Sequence, residues 1–163
     1  MYVSGLCVLS VEKREYGMIE LRPSIPDEIP IFVEMESGDD TAEFVFGWNE
    51  EKHRAEMQKH DVIYISILKD DKLAGFFVLA IDPDDKTVEC RRIVVSNKHR
   101  GIGQTAINAM EKYCRTELGR TKIWLDVLET NSRAWHIYEK LGYKKFKKGR
   151  QEGKPLSFLN KKL

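Results

Sequence analysis

The sequence predicts an α+β protein in which a mixed sheet of about seven strands carries helices on both faces. Three observations lead there. Residues 62–95 contain three apolar, β-rich runs joined by short polar turns, the pattern of an antiparallel meander. After Val95 the order changes to helix, strand, helix, strand. A helical crossover of that kind joins parallel strands, so the run around Trp124 is expected to lie parallel to the run that ends at Val95.

In chain order, residues 1–17 read as an N-terminal extension, either an extra strand or a disordered start, ahead of a single domain over residues 18–163. Val3 to Val11 is mildly apolar, but no positive charge precedes it and no small-residue cleavage site follows, which argues against a signal peptide. Met18 to Arg22 alternates as a first strand should. Pro23, Pro26 and Pro30 then break the chain, and a helix is expected from Pro26 or Asp27 to about Glu36, with proline suited to its first turn. Ser37-Gly38-Asp39-Asp40 is a turn. A second helix is expected from about Thr41 to His60, with Phe44, Val45, Trp48, Ala55 and Met57 on its apolar side and Gly47 as its weak point.

Val62–Leu68 and Leu73–Ile81 flank the turn Lys69–Lys72, and Asp82–Lys86 turns into Thr87–Val95. Ala106, Ile107, Met110, Tyr113, Cys114 and Leu118 then form a helical stripe. Ile123–Leu128 is a mostly buried strand. A short helix through Ala134, Trp135, Tyr138 and Leu141 stops at Gly142, where a left-handed cap belongs. Tyr143–Phe146 and Leu156–Leu159 make the last two strands.

Composition bounds the function. The 163 residues suit one hydrophobic core, and no apolar run approaches the ~20 residues of a membrane span. A net charge of +1 gives no global drive toward nucleic acid or membrane, and neither is expected as a partner. Cys7, Cys90 and Cys114 are odd in number and lack C-x-x-C spacing, so reduced thiols in a cytoplasmic protein are expected. His53, His60 and His136 have no metal-ligand spacing, and no metal is expected.

The chemistry concentrates where the strand Ile93-Val94-Val95 turns through Ser96-Asn97-Lys98-His99-Arg100 into Gly101-Ile102-Gly103-Gln104. Two glycines let the backbone turn sharply and approach a ligand closely. The first amides of the following helix have no internal partner, and its dipole favours an anion there by up to ~2 kcal/mol. Lys98, His99 and Arg100 add positive charge. A phosphate is the natural occupant. The acidic residue expected about 20 positions beyond a dinucleotide loop is not placed at a strand end, and G-x-x-x-x-G-K-[ST] is absent, so neither NAD nor a Walker-bound nucleotide fits.

Arg100-Gly101-x-Gly103, followed by Asn131-x-x-Ala134-x-x-x-Tyr138-x-x-x-Gly142-Tyr143, resembles the GNAT superfamily of acyl-CoA-dependent N-acyltransferases. The family's loop pattern is [QR]-x-x-G-x-[GA], and Thr105 stands where its last small residue is usual. The resemblance implies a sheet whose two parallel strands splay to admit acetyl-CoA. It implies CoA contacts from Ile93, Val94 and Val95, from the loop Lys98 to Thr105 (Ile102 and Gln104 included), and from Asn131, Arg133, Ala134 and Tyr138. Dimers are common in the family, and a homodimer is left open.

Acetyl transfer to an amine needs a neutral amine and a proton for the departing thiolate. A lysine amine lies ~3.4 units below its pKa at neutral pH, so neutralising it costs about 4–5 kcal/mol, and an α-amine costs about 1.4 kcal/mol. A general base contributes ~10²–10⁴-fold. The resemblance offers two carboxylates for that role, Glu89 at the position used by family members that acetylate histone lysines, and Asp126 at the position used by ribosomal-protein N-terminal acetyltransferases. Glu89 is favoured, because its strand leads straight to where the thioester should lie. Tyr138 resembles the family's general acid. Arg91 and Arg92 are candidates to pair these acids or to hold a carboxylate on the acceptor, and Phe44, Phe46 and Trp48 are candidates to shape the acceptor pocket. The expected function is an acetyl-CoA-dependent N-acetyltransferase acting on a primary amine of a small molecule or a protein. A CoA-binding sensor without catalysis is the alternative.

Overall fold

The computed structural model describes residues 9–13, 17–96 and 101–163, with backbone alone for 9–13. Eight strands form one sheet: β1 Leu9–Lys13, β2 Gly17–Pro23, β3 Val62–Lys69, β4 Lys72–Ile81, β5 Thr87–Val95, β6 Lys122–Leu128, β7 Lys144–Gln151 and β8 Lys154–Lys162. Their order across the sheet is β1-β2-β3-β4-β5-β6-β8-β7. Every neighbouring pair is antiparallel except β5 with β6. The seven strands anticipated are β2 to β8. The eighth, β1, comes from the segment ahead of Met18 and pairs Leu9 with Leu21 through Lys13 with Gly17.

Four helices cover the sheet: α1 Ile29–Glu36 behind a 3-10 turn at Pro26–Glu28, α2 Glu50–Met57, α3 Ile102–Thr116 and α4 Ser132–Lys140. On one face α3 and α4 bury Ile102, Ala106, Met110, Tyr113 and Tyr138 against Ile123, Leu125 and Leu159 of the sheet. On the other, α1 packs Ile29 and Phe32 on Tyr64, Phe76, Val78 and Val94. Full burial of one such side chain stabilises by about 1.5–3 kcal/mol, so both faces of β3 to β5 are held by core.

The long helix anticipated from Thr41 to His60 is not there. Residues 37–45 form turns, 46–49 are irregular, and α2 spans only Glu50–Met57. The reason is that distant side chains claim the backbone. Arg92 donates to the Phe46 carbonyl at 2.7 Å, and the Trp48 amide donates to Glu36 at 2.8 Å. The helix begins only after Asn49, whose side chain caps the Lys52 amide at 2.8 Å.

Two irregularities shape the centre of the sheet. The β4–β5 ladder pairs Val78 with Arg92 but Leu79 with Cys90, so Arg91 is an extra residue, a β-bulge that bends β5. The β5–β6 ladder holds only three pairs, Thr87 with Lys122, Val88 with Ile123 and Glu89 with Trp124. Beyond them the two strands separate.

Gly75 lets β4 and β5 close tightly on the other side, since a Cβ there would stand 2.2 Å from the Val94 carbonyl oxygen. Gly75→Ala is expected to lower stability by about 1–3 kcal/mol, as overpacking does, and a lowered urea midpoint with an unchanged slope is the measurement that checks it.

Candidate active site

Where β5 and β6 part, the sheet opens into a cleft of about 320 Å³. Strand β5 contributes Glu89, Arg91, Arg92, Ile93 and Val94, and β6 contributes Asp126. Asn131, Ala134 and Tyr138 enter from α4 and its cap, and Phe44, Phe46 and Trp48 form a wall. The structure thus gathers most of the anticipated residues from four separate segments. Val95, Arg133 and the first turn of α3, Gly101 to Thr105, do not line this cleft. Lys98, His99 and Arg100 lie outside the described residues. Cys90, Gln151 and Leu156 line the cleft without having been singled out. The last two arrive on the β7–β8 hairpin, whose return beside β6 has no local motif.

The two carboxylates have different surroundings. Glu89 accepts from Arg91 Nε at 3.0 Å. No ion pair holds Asp126 among the described residues, although its side chain opens into the cleft. Desolvation by the cleft walls, and then the nearby charge of Glu89, push its pKa up, with Arg92 opposing.

Tyr138 is nearly buried, and desolvation keeps its hydroxyl protonated far above neutral pH, reinforced by Cys90 and Asp126. At neutral pH the group is a neutral phenol that carries its proton. Cys90 is buried too, its thiol pushed well up by burial and directed to the Arg92 carbonyl at 3.6 Å. A thiol so placed is not a thiolate nucleophile.

The arginines are engaged with the chain itself. Arg91 also donates to Glu56 at 3.0 Å, and Arg92 pairs with Glu36 at 3.0 Å and lies 3.8 Å from the Trp48 ring centre. The anticipated pairing of Arg91 with Glu89 is present, but Arg92 turns to Glu36 and makes no ion pair with Asp126. Behind the wall, fully buried His53 reaches Tyr64 Oη at 3.0 Å and Glu36 at 3.2 Å. His53 is therefore structural. This network fastens Phe46 and Trp48 beside the cleft.

At the other end of the slot, Gly101 takes a left-handed conformation (φ 68°) and caps α3. The Thr105 amide is the first to find a carbonyl inside the helix, that of Gly101 at 3.3 Å. Among the described residues no carbonyl accepts from the amides of residues 102–104, the helix-start position where an external acceptor can be taken. A Cβ on Gly103 would meet nothing within 4 Å, so the ground beside those amides is open. The Thr105 hydroxyl turns back to the Gly101 carbonyl at 3.4 Å and does not close the mouth. These features fit the diphosphate of a CoA. Asn131 caps α4 by accepting from the Ala134 amide at 3.2 Å.

A family model described as the acetyltransferase (GNAT) family matches residues 30–143, well over half of the chain. The chain belongs to the GNAT acetyltransferase family. It is an acetyl-CoA-dependent N-acetyltransferase. Solved structures share the fold of this GNAT enzyme at low identity. A spermidine N-acetyltransferase from Vibrio cholerae in complex with CoA and spermine is 17% identical with a TM-score of 0.76, over 88% of this chain and 95% of that one. The ribosomal-protein-S18-alanine N-acetyltransferase from Escherichia coli is 16% identical with a TM-score of 0.74, over 89% and 94%. A domain from Methanocaldococcus jannaschii is 20% identical with a TM-score of 0.72, over 89% and 98%. No curated protein matches the chain by sequence. No described helix is long and apolar enough to cross a membrane.

The Asp126 carboxyl carries a stability signature. Its pKa is higher folded than unfolded, so the folded state holds the proton more tightly, and stability falls as pH rises from the ordinary aspartate range through the raised value. Asp126→Asn is expected to be more stable than the parent at pH 7 and to lose that advantage near pH 3. Urea unfolding at the two pH values tests this.

Proposed function

We propose that this GNAT enzyme transfers the acetyl group of acetyl-CoA to a primary amine of a small molecule or a protein by direct attack in the β5–β6 cleft. The observation that carries the reading is the meeting, at an unpaired stretch of sheet edge, of a protonated tyrosine hydroxyl with two carboxylates. Acetyl-CoA, when bound, supplies the activated carbonyl. Backbone groups of β5 beyond Glu89 have no partner on β6, and in this reading an amide near Val95 donates to the carbonyl oxygen. Asp126 takes the proton from the incoming ammonium, directly or through water, because no described residue ion-pairs with it and it holds protons more tightly than an ordinary aspartate. Glu89 is tied to Arg91 at the cleft wall. Tyr138 protonates the departing thiolate. Phe44, Phe46 and Trp48 form the acceptor wall, with Arg91 and Arg92 bracing it. Lys98, His99 and Arg100, with the open amides of α3, hold the diphosphate, and Ile93, Val94, Asn131, Arg133 and Ala134 flank the rest of the CoA arm. The free thiols of Cys90 and Cys114 suit a cytoplasmic setting.

Both relatives with a named activity act on amines, one on spermidine and one on a ribosomal-protein alanine. Their likeness supports an amine acceptor without choosing between a polyamine and a protein N-terminus.

Tyr138→Phe is expected to lower turnover at least about tenfold while acetyl-CoA affinity changes little, measured as CoA release over a panel of amines and by calorimetry. Asp126→Asn should cost more in kcat than Glu89→Gln and remove the acidic limb of the pH–rate profile. The opposite ranking reassigns the base. Arg100→Ala should weaken acetyl-CoA binding by roughly 10–150-fold, the worth of a charge-assisted hydrogen bond of about 1.5–3 kcal/mol, and equal affinity would remove it from the diphosphate site.

A further inference from the structure

The net charge of +1 hides a separation. Nine of the 27 lysines and arginines, but only one of the 26 acidic residues, fall in residues 140–163, the stretch that ends α4 and forms β7 and β8. Strand β7 is the sheet edge and almost wholly exposed. Lysine on an edge strand often serves only to prevent strand pairing. Here the charge is also sorted by face. On the face under the helices, Lys145 pairs with Glu129 at 3.1 Å and Lys161 with Glu111 at 2.6 Å. On the opposite face the cross-strand register places Lys122 beside Lys162 and Lys144 beside Asn160, while Lys147 sits beside Phe158. Among the described residues no carboxylate pairs with these four lysines.

Aromatic rings stand between them. Phe158 lies 5.9 Å from Trp124 and 6.2 Å from Phe146, centre to centre, and the Lys147 ammonium is 5.4 Å from its ring. Phe146 is 53% exposed, and among the described residues no helix packs on this end of the sheet on that side. Gly149 leaves room for the Phe158 ring, since a Cβ there would come within 2.8 Å of it.

Lysines without a carboxylate partner among the described residues, at strand spacing and interleaved with aromatic rings, combine a phosphate track with a stacking platform. We propose that the uncovered face of β6, β8 and β7 binds single-stranded nucleic acid. Its phosphates lie on Lys122, Lys144, Lys147 and Lys162, and its bases stack on Phe146 and Phe158. An acidic peptide would satisfy the lysines but leave the rings without a role. The inference is independent of any step of acetyl transfer.

The test is fluorescence anisotropy of labelled 12-nucleotide oligouridine and oligothymidine with the full chain, and a labelled polyglutamate peptide as comparator. Binding is expected to both oligonucleotides and to fall by roughly 50-fold between 50 and 200 mM salt, the slope for about four neutralised phosphates on a single strand. Phe146→Ala should weaken it about fivefold or more. The triple variant K144E/K147E/K162E should abolish it while acetyl-CoA affinity and thermal midpoint stay near parental values, which shows the fold intact. Absence of oligonucleotide binding, polyglutamate binding of equal strength, or a folded triple variant that binds as the parent does would overturn the proposal.

Discussion

The architecture depends on how few backbone pairs join β5 to β6. Three pairs hold the parallel strands and then stop at Glu89 and Trp124. The bulge at Arg91 bends β5 just beyond that point, while Gly75 lets β4 stay hard against it on the other edge. Strand β5 is thus held from one side and released on the other. Backbone N–H and C=O groups facing such a gap require partners. An extended arm carrying amides, as CoA does, has the chemistry to provide them. Tyr138 lines the opening from α4, and α3 begins at the left-handed Gly101.

The second wall of the cleft has no regular structure of its own, and a buried charge network holds it in place. Glu36 is the centre. It pairs with Arg92, contacts His53 and accepts from the Trp48 amide. Burying ions costs several kcal/mol each. The bonds to Trp48, His53 and Phe46 offset part of that cost, while Glu36 Oε1 and Arg92 Nε find no hydrogen-bond partner among the described residues. Burial of Arg92 lowers its pKa and Glu36 opposes that shift, which ties the two charges to each other. Arg92 then donates to Phe46 and lies against Trp48, so the energy of a core ion pair becomes the position of two aromatic side chains at the site. A purely apolar anchor would hold the segment as firmly but would not fix the direction of the Phe46 carbonyl.

The sequence made most of the fold legible because its strands and two motif-bearing helices have strong local patterns. The meander from Val62 to Val95 and the Asn131 cap needed no distant information. The misreading of Thr41 to His60 shows the limit. Phe44, Val45 and Trp48 have helical spacing, yet Arg92 and Glu36 take the backbone groups that a helix would have used, across 46 and 12 residues. Gly47 and Asn49 were the local signals of a later start. For the site, motifs located Tyr138 and Asn131 because the family spaces them along one helix. The different surroundings of Glu89 and Asp126 were not visible, because pairing with Arg91 or Arg92 was equally open to both. Gln151 and Leu156 were missed because only the hairpin's return beside β6 brings them in.

Averaging concealed the charge as spacing concealed the wall. A total near zero argues against a polyanion only when both signs are mixed in space, and here they are not. The register runs from Asp126 to Phe158 and from Phe158 to Lys147, two cross-strand steps of about 4.8 Å each on one continuous sheet face. Within roughly 10 Å the face changes from a carboxylate with raised proton affinity to an unpaired ammonium. That separation is close to the Debye length at physiological salt, so each charge keeps its own local field. A cation is favoured at the inner end of this row and an anion at the outer end.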